Sequence, residues 1–284
     1  MYVFRSDIER IFQLGSYCVE PFQGGLYRFD YDSKIFLGLA YEKSLKDLKD
    51  KVFLIKMANP LSPLAVQSIC SESEILQSLS HSAIVNFIDF GWHDFLDDSS
   101  NNTKTPFIVE ELLKDDLATL IFKKHKRLTW TQTKKIFSAI CDAVVYLHNR
   151  NIIHGDIKLG NIAQVDEFNF KLIDFGAAKN IDTFHVNRTL PYLSHHHAPD
   201  IKWSFLVDVY SLGVLLFNLI ADGEFLVFRV TGNRDSAQKK EEVPQGIWED
   251  LISLVFHATN WNKDERISCV SELLNYFTAI SHTT

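Results

Sequence analysis

Along the first third of the chain, apolar and polar positions mark out strands. Residues 26–31 (LYRFDY), 35–42 (IFLGLAYE) and 51–58 (KVFLIKMA) are rich in aromatic and branched side chains, the composition of a half-buried strand. The stretch YDSK at 31–34 reads as a tight turn, and 44–50 as a charged surface connection. A helix is expected over 63–79, then two more strands over 85–91 and 107–113, with the polar stretch DFLDDSSNNTKT at 94–105 as a solvated loop between them. Near the start, Ser6 is placed to cap a short helix whose first turn carries Asp7 and Glu9. Beyond residue 113 the period becomes helical. Over 130–148, Ile136, Ile140, Ala143, Val144 and Leu147 recur at helix spacing, and 207–221, 246–259 and 268–280 are further apolar helices. A sheet-rich first part and a helix-rich remainder predict an α+β protein of two lobes with a site between them. The expected division is an extension over 1–25, a first lobe over 26–112 and a second over 113–284. No internal repeat is evident.

Composition narrows the function classes. The 284 residues are 46% hydrophobic and 23% charged, ordinary for a globular protein and enough to bury a sizeable core. A net charge of −7 gives no electrostatic footprint for general binding to nucleic acid or a membrane surface. Cys18, Cys70, Cys141 and Cys269 are scattered, with neither zinc spacing nor a disulfide framework, so a reducing compartment is expected. The first residues lack the apolar core of a signal peptide. The longest apolar stretch, 207–221, is interrupted by Asp208, Ser211 and Asn218 and is too short to span a bilayer.

The chemistry is concentrated in two short motifs. HGDIKLGN occupies 154–161, and DFG begins at Asp174, eighteen residues after Asp156. Either alone is weak; ordered and spaced in this way they resemble the catalytic loop HRDxKxxN and the metal loop DFG of eukaryotic-type protein kinases. The resemblance implies a bilobal kinase fold with a small β-rich N-lobe and a larger helical C-lobe. Phosphoryl transfer needs a carboxylate at the attacking hydroxyl, oxygen ligands for Mg²⁺ and positive charge along the phosphates. Asp156 fits the first need and Asn161 and Asp174 the second, while Lys158 can reach the transferring group. A lysine at 158 resembles the Ser/Thr rather than the tyrosine type.

Further matches follow in order. FLIK at 53–56 resembles VAIK, which makes Lys56 the partner of the α- and β-phosphates. Glu72 falls where the family's orienting glutamate sits on the next helix; Glu74, two residues on, would point elsewhere. Taken alone, either residue would be read as a solvated surface charge. FIVEEL at 107–112 resembles the last N-lobe strand and hinge, with Val109 as gatekeeper and the backbones of Glu110 and Leu112 bonding adenine. Ile35, Leu54 and Ala163 complete the expected nucleotide contacts. Asp208 in DVYSLGV resembles the helix aspartate that holds the catalytic loop, and Arg266 the buried arginine late in the C-lobe. Leu76, Phe87, His154 and Phe175 fall at spine positions, though such residues also fit a generic core.

Departures from the family pattern are specific. Between the first two expected strands, RFDYDSKI at 28–35 contains no glycine, where GxGxxG would let backbone N–H groups approach phosphate. A second register takes Gly24 and Gly25 as the end of that loop at the expense of an extra strand; the first is preferred because it supplies three strands. Residue 155 is Gly instead of the Arg that receives a phosphorylated activation loop, so control through Thr183 or Thr189 is not expected. Leu54 replaces a small residue above adenine and Ala163 a large one below it, a volume swap across one pocket. After TLPY at 189–192, either Ser194–His196 stands for the usual APE or Ala198, Pro199 and Asp200 follow an insertion; Asp200 would then reach Arg266. The histidines at 195–197 read as a substrate-facing loop, with a zinc site the lesser alternative. KKHKR at 123–127 reads as a solvated connection, or else a docking patch for acidic partners.

The sequence therefore predicts a serine/threonine protein kinase using ATP and Mg²⁺, with Mn²⁺ as an alternative ion and a protein substrate. The rival reading is a pseudokinase scaffold. No nucleic-acid or membrane partner is expected, and the place of work is cytoplasm or nucleus. The irregular loops resemble divergent kinases of large DNA viruses such as baculoviruses, whose proteins would act inside a host cell; a cellular parasite's kinase would look similar.

Overall fold

The computed structural model describes residues 12–14, 16–21, 35–42, 52–60, 62–96, 102–181, 204–222 and 238–282. The described residues fall into two units. One runs up to Ser80 and includes Val85–Leu112; the other takes His81–Ile84 and everything from Leu113.

The first unit is a six-stranded antiparallel sheet with one helix. Its strands are β1 (Phe12–Leu14), β2 (Tyr17–Pro21), β3 (Ile35–Glu42), β4 (Val52–Ala58), β5 (Phe87–Leu96) and β6 (Asn102–Glu111), in the order β1-β2-β3-β4-β6-β5. Helix α1 (Pro63–Gln77) lies between β4 and β5 in sequence. Ser62 caps it by accepting the Ala65 N–H, and Pro63 suits the first turn, where a missing N–H costs nothing. Strand alternation sorts the side chains. Tyr17, Val19, Ala40, Ile55, Met57, Phe107 and Val109 form the core on one face. On the other, Ala58 and Ile108 pack with Ala65 and Ile69 of α1.

Three expectations change here. Residues 12–21 belong to the expected extension, yet they contribute β1 and β2; β2 pairs with β3 from Tyr17↔Glu42 to Pro21↔Gly38. The strand preceding β3 in the ladder is thus 17–21, and the connection between the two is 22–34, which holds Gly24 and Gly25. This overturns the preferred register. The expected strand 26–31 and all of 28–35 except Ile35 lie outside the described residues, as does the helix at Ser6. The third change is at 94–105. Strands β5 and β6 extend into that polar stretch, with Trp92↔Pro106 and Asp94↔Lys104 opposite each other. A strand with one wet face carries polar residues without ceasing to be a strand, and Asp94 faces an opposite charge.

The second unit is mainly helical: α2 (Trp130–His148), α3 (Leu206–Ile220), α4 (Trp248–Ala258) and α5 (Val270–Ser281). Thr129 and Gln132 form a capping box at the start of α2. Helix α3 is buried almost all round, as a central helix must be. Gly213 lets α4 approach it: an added Cβ would lie 2.6 Å from Thr259 Cγ2 and 2.8 Å from Ala258 Cβ. Phe137 of α2 and Phe277 of α5 meet edge-on at 4.6 Å. Short ladders, β7 (Ile152–Ile153) with β10 (Lys179–Asn180) and β8 (Ile162–Gln164) with β9 (Phe170–Leu172), bracket the motif loops. A further short pair joins β11 (Ala221–Asp222) to β12 (Gln238–Lys239). Residues 81–84 belong with this unit: Leu172 N–H donates to Ala83 O at 2.9 Å, and His81 meets Asp142 at 3.1 Å. No helix among the described residues is long and apolar enough to cross a membrane.

Candidate active site

Two groups of functional side chains emerge, one in each unit. In the helical unit, the loop after β7 carries HGDIKLGN. Its anchor is Asp208 in the first turn of α3, with no exposed surface. Asp208 accepts the backbone N–H groups of His154 and Gly155, each at 2.9 Å, and meets His148 Nε2 at 2.9 Å. Burial by itself would raise the Asp208 pKa. The hydrogen bond from His148, the electrostatic attraction of the His148 and His154 side chains, and the Gly155 N–H outweigh it and hold the carboxyl below its ordinary value. Gly155 has φ 78°, a backbone angle at which a side chain is strained. Glycine thus relieves the turn while removing the arginine of the family motif.

His154 is buried, and loss of hydration lowers its pKa, which keeps the ring neutral. Its Nδ1 accepts the Asp156 N–H at 3.3 Å, so the proton belongs on Nε2, which donates to Ile173 O at 3.3 Å. The ring packs edge-on against the fully buried Phe175 at 4.8 Å. These contacts tie the catalytic loop to the DFG loop.

The reactive cluster follows. Asp156 Oδ2 accepts from Lys158 Nζ at 2.6 Å and from Asn161 Nδ2 at 2.9 Å, and Asn161 Nδ2 also donates to Asp156 O at 2.8 Å. With its nitrogen committed to Asp156, Asn161 has its amide oxygen left for a cation. Asn161 O accepts the Ile173 N–H at 2.9 Å, which fixes the residue before Asp174. Asp174 is solvent-exposed and has φ 61°, in the left-handed region that non-glycine residues seldom enter. Its Oδ1 accepts the Gly176 N–H at 3.3 Å. One amide oxygen and one carboxylate are hard donors of the kind Mg²⁺ takes alongside water and phosphate. No group of three or more His, Cys, Asp or Glu that could hold a metal occurs among the described residues.

In the sheet unit, Lys56 of β4 donates to Glu72 Oε1 of α1 at 2.8 Å, and both are buried. Glu74 is exposed, as helix geometry requires. Leu54 and Lys56 share a face of β4, opposite Leu39 and Leu37 of β3 and opposite Glu110 and Ile108 of β6. The expected gatekeeper Val109 does not share it: Val109 pairs with Ile55 and packs in the opposite core with Tyr17 and Phe107. The β6 side chain that reaches Lys56 is Glu110, whose Oε1 lies 3.2 Å from Lys56 Nζ. Glu110 was expected to act through its main chain alone; strict alternation in FIVEE is the signal that puts its side chain on the Lys56 face. Ile35 pairs with Ala58 and packs against the Ala65, Ile69 and Ile108 cluster, while Leu39 is the β3 residue beside Leu54. Leu112 lies just past β6 and is exposed. Ala163 of β8 is buried in the helical unit.

Other expected features sort out as follows. Arg266 donates to Asn260 O at 2.7 Å and Leu206 O at 3.0 Å. In the basic run 123–127, Lys124 pairs with Asp115, and Arg127 with Glu241 at 2.8 Å. Part of the proposed docking charge is therefore matched within its own unit. Thr183, Thr189, the histidines 195–197, the APE alternatives and Asp200 lie outside the described residues.

The sequence profile of the protein kinase domain matches residues 41–277, and the chain belongs to that family. It is 32% identical over 204 residues to the cell cycle serine/threonine-protein kinase CDC5/MSD2 of Saccharomyces cerevisiae, covering 67% of this chain and 28% of that protein. It is 30% identical over 217 residues to the serine/threonine-protein kinase polo of Drosophila melanogaster, covering 74% and 36%. A probable serine/threonine-protein kinase PLK of Dictyostelium discoideum is 36% identical over 155 residues, covering 53% and 15%. The chain thus spans little more than a third, at most, of the length of these relatives.

Proposed function

We propose that the protein transfers the γ-phosphoryl group of ATP to a serine or threonine hydroxyl of a protein substrate. The observation that carries the proposal is the Asp156 carboxylate, held at once by Lys158 and Asn161. An oriented carboxylate with an adjacent ammonium is what hydroxyl attack on a phosphoryl group uses. The substrate hydroxyl oxygen bonds to the γ-phosphorus and the bond to the β,γ-bridging oxygen breaks. Asp156 orients the hydroxyl or takes its proton, and ADP leaves. Lys158 offsets charge on the transferring group, and Lys56, set by Glu72, holds the α- and β-phosphates. Asn161 and Asp174 would hold Mg²⁺, with Mn²⁺ as a substitute, and a bound ion supplies neutralisation of phosphate charge.

The sheet unit serves as the N-lobe and the helical unit as the C-lobe, with the change after Leu112. Leu54 and Ala163 contribute to the nucleotide contacts. Gly155 supports a kinase not controlled by activation-loop phosphorylation, and free cysteines at 18, 70, 141 and 269 are in keeping with a reducing compartment, cytoplasm or nucleus.

A binding scaffold is the second reading, favoured by the Glu110 carboxylate at Lys56. Two measurements on the full chain separate them: Mg²⁺-ATP binding by thermal shift, compared with Lys56→Met, and phosphoamino-acid analysis of a generic acceptor. Binding lost in Lys56→Met, with phosphoserine or phosphothreonine formed, supports the kinase. Absence of both binding and product leaves the scaffold.

A further inference from the structure

Lys56 does not sit with one carboxylate but between two. Glu72 Oε1 is at 2.8 Å and Glu110 Oε1 at 3.2 Å, and relative exposure is 8% for Lys56 and 1% for each glutamate. The two acids come from different elements, α1 and β6, so neither is an accident of the other's placement. A lysine ammonium has three donors and no acceptor. Glu72 takes one of these donors in a hydrogen bond, and Glu110 stands at ion-pair distance from the same ammonium, so a phosphate oxygen that reaches Lys56 approaches a second negative charge as it does so. One orienting acid is enough to position the lysine. The second adds like charge where phosphate has to come.

We infer that Glu110 is a positioning residue acting through Lys56: it holds the ammonium in its resting place and weakens the grip on nucleotide phosphates. This rests on the reading that Lys56 binds the α- and β-phosphates. The effect belongs to charge and therefore acts on phosphate-bearing ligands and not on a neutral nucleoside. A like charge a few ångströms away changes an anion equilibrium by about tenfold or more, and that is the size expected here.

The test is isothermal titration of the full chain with Mg²⁺-ADP and, separately, with adenosine. The proteins are wild type, Glu110→Gln, Glu110→Leu and Lys56→Met, each first shown to unfold cooperatively. Gln keeps the shape and removes the charge; Leu gives the same reading if the Gln variant does not fold. The expected result is Mg²⁺-ADP bound about tenfold tighter while adenosine affinity moves less than about twofold. Mg²⁺-ADP affinity unchanged or weaker in the Glu110 variants overturns the inference, although Lys56→Met still loses binding. Parallel changes for ADP and adenosine also overturn it, because they report pocket shape. If Lys56→Met binds Mg²⁺-ADP like wild type, the assignment of Lys56 to the phosphates falls, and this inference with it.

Discussion

Removing the Asp208 side chain should damage the helical unit more than any other single change in the catalytic loop's supports. Asp208→Ala takes the acceptor away from the His154 and Gly155 N–H groups and from His148, three contacts of 2.9 Å each. A buried donor that loses its partner costs about 1–3 kcal/mol. The two backbone groups alone therefore give about 2–6 kcal/mol, against a total stability of about 5–15 kcal/mol for a typical domain. Urea unfolding followed by the fluorescence of the five tryptophans would measure it. With an m-value of about 1–3 kcal/mol/M, the midpoint should fall by about 0.7 M or more. Asp208→Asn, which keeps one acceptor oxygen, should lose about half as much. The sign with pH follows from the depressed Asp208 pKa. A carboxyl that is more acidic folded than unfolded contributes fully above its ordinary value of 3.8, and that contribution is lost as pH falls through the folded pKa. The gap between wild type and Asp208→Ala should thus be constant from pH 7 to about pH 4 and narrow below. A difference under about 1 kcal/mol at pH 7 would refute the reasoning, since two buried backbone hydrogen bonds and a part-buried one to His148 cannot be that dispensable.

Further expectations are smaller in scope. Gly155→Ala forces a side chain onto φ 78° and should cost about 1–2 kcal/mol in the same unfolding assay. Gly213→Ala drives a methyl into Thr259 and Ala258 and should cost about 1–3 kcal/mol, an overpacking penalty visible as a lowered Tm. Ala or Glu at Thr183 and Thr189 should leave initial rates of phosphate transfer within about tenfold of wild type, because Gly155 offers no guanidinium to a loop phosphate; a larger change in either direction contradicts that.

What was legible in the sequence was chemistry written contiguously. HGDIKLGN and DFG name their elements because the spacing sets a loop between short strands, and the hydrogen bonds that Lys158 and Asn161 donate to Asp156 stay within six residues. Lys56 and Glu72 were legible through that context, and Glu72 also because Glu74, two residues on, points elsewhere on a helix. Strands β1 and β2 were not, being three and five residues long and carrying Ser, Cys, Glu and Pro around them. Nor was the outer half of the β5–β6 hairpin, since a solvated strand face and a polar loop have the same composition. Glu110 was hidden by register. A one-residue slip exchanges faces, so naming Val109 as gatekeeper concealed the acid that lies beside Lys56. The Asp208 bridge spans more than fifty residues, and in the sequence only the resemblance points to it.

The central claim is that the Asp156 cluster performs phosphoryl transfer. The most direct measurement is transfer of radiolabelled γ-phosphate from Mg²⁺-ATP to a generic acceptor protein by wild type and Asp156→Asn at equal concentration. Wild type should label serine or threonine, and Asp156→Asn should be slower by about 10²–10⁴-fold while still binding Mg²⁺-ATP. Equal rates for the two proteins, or no transfer by wild type that binds Mg²⁺-ATP, would contradict it.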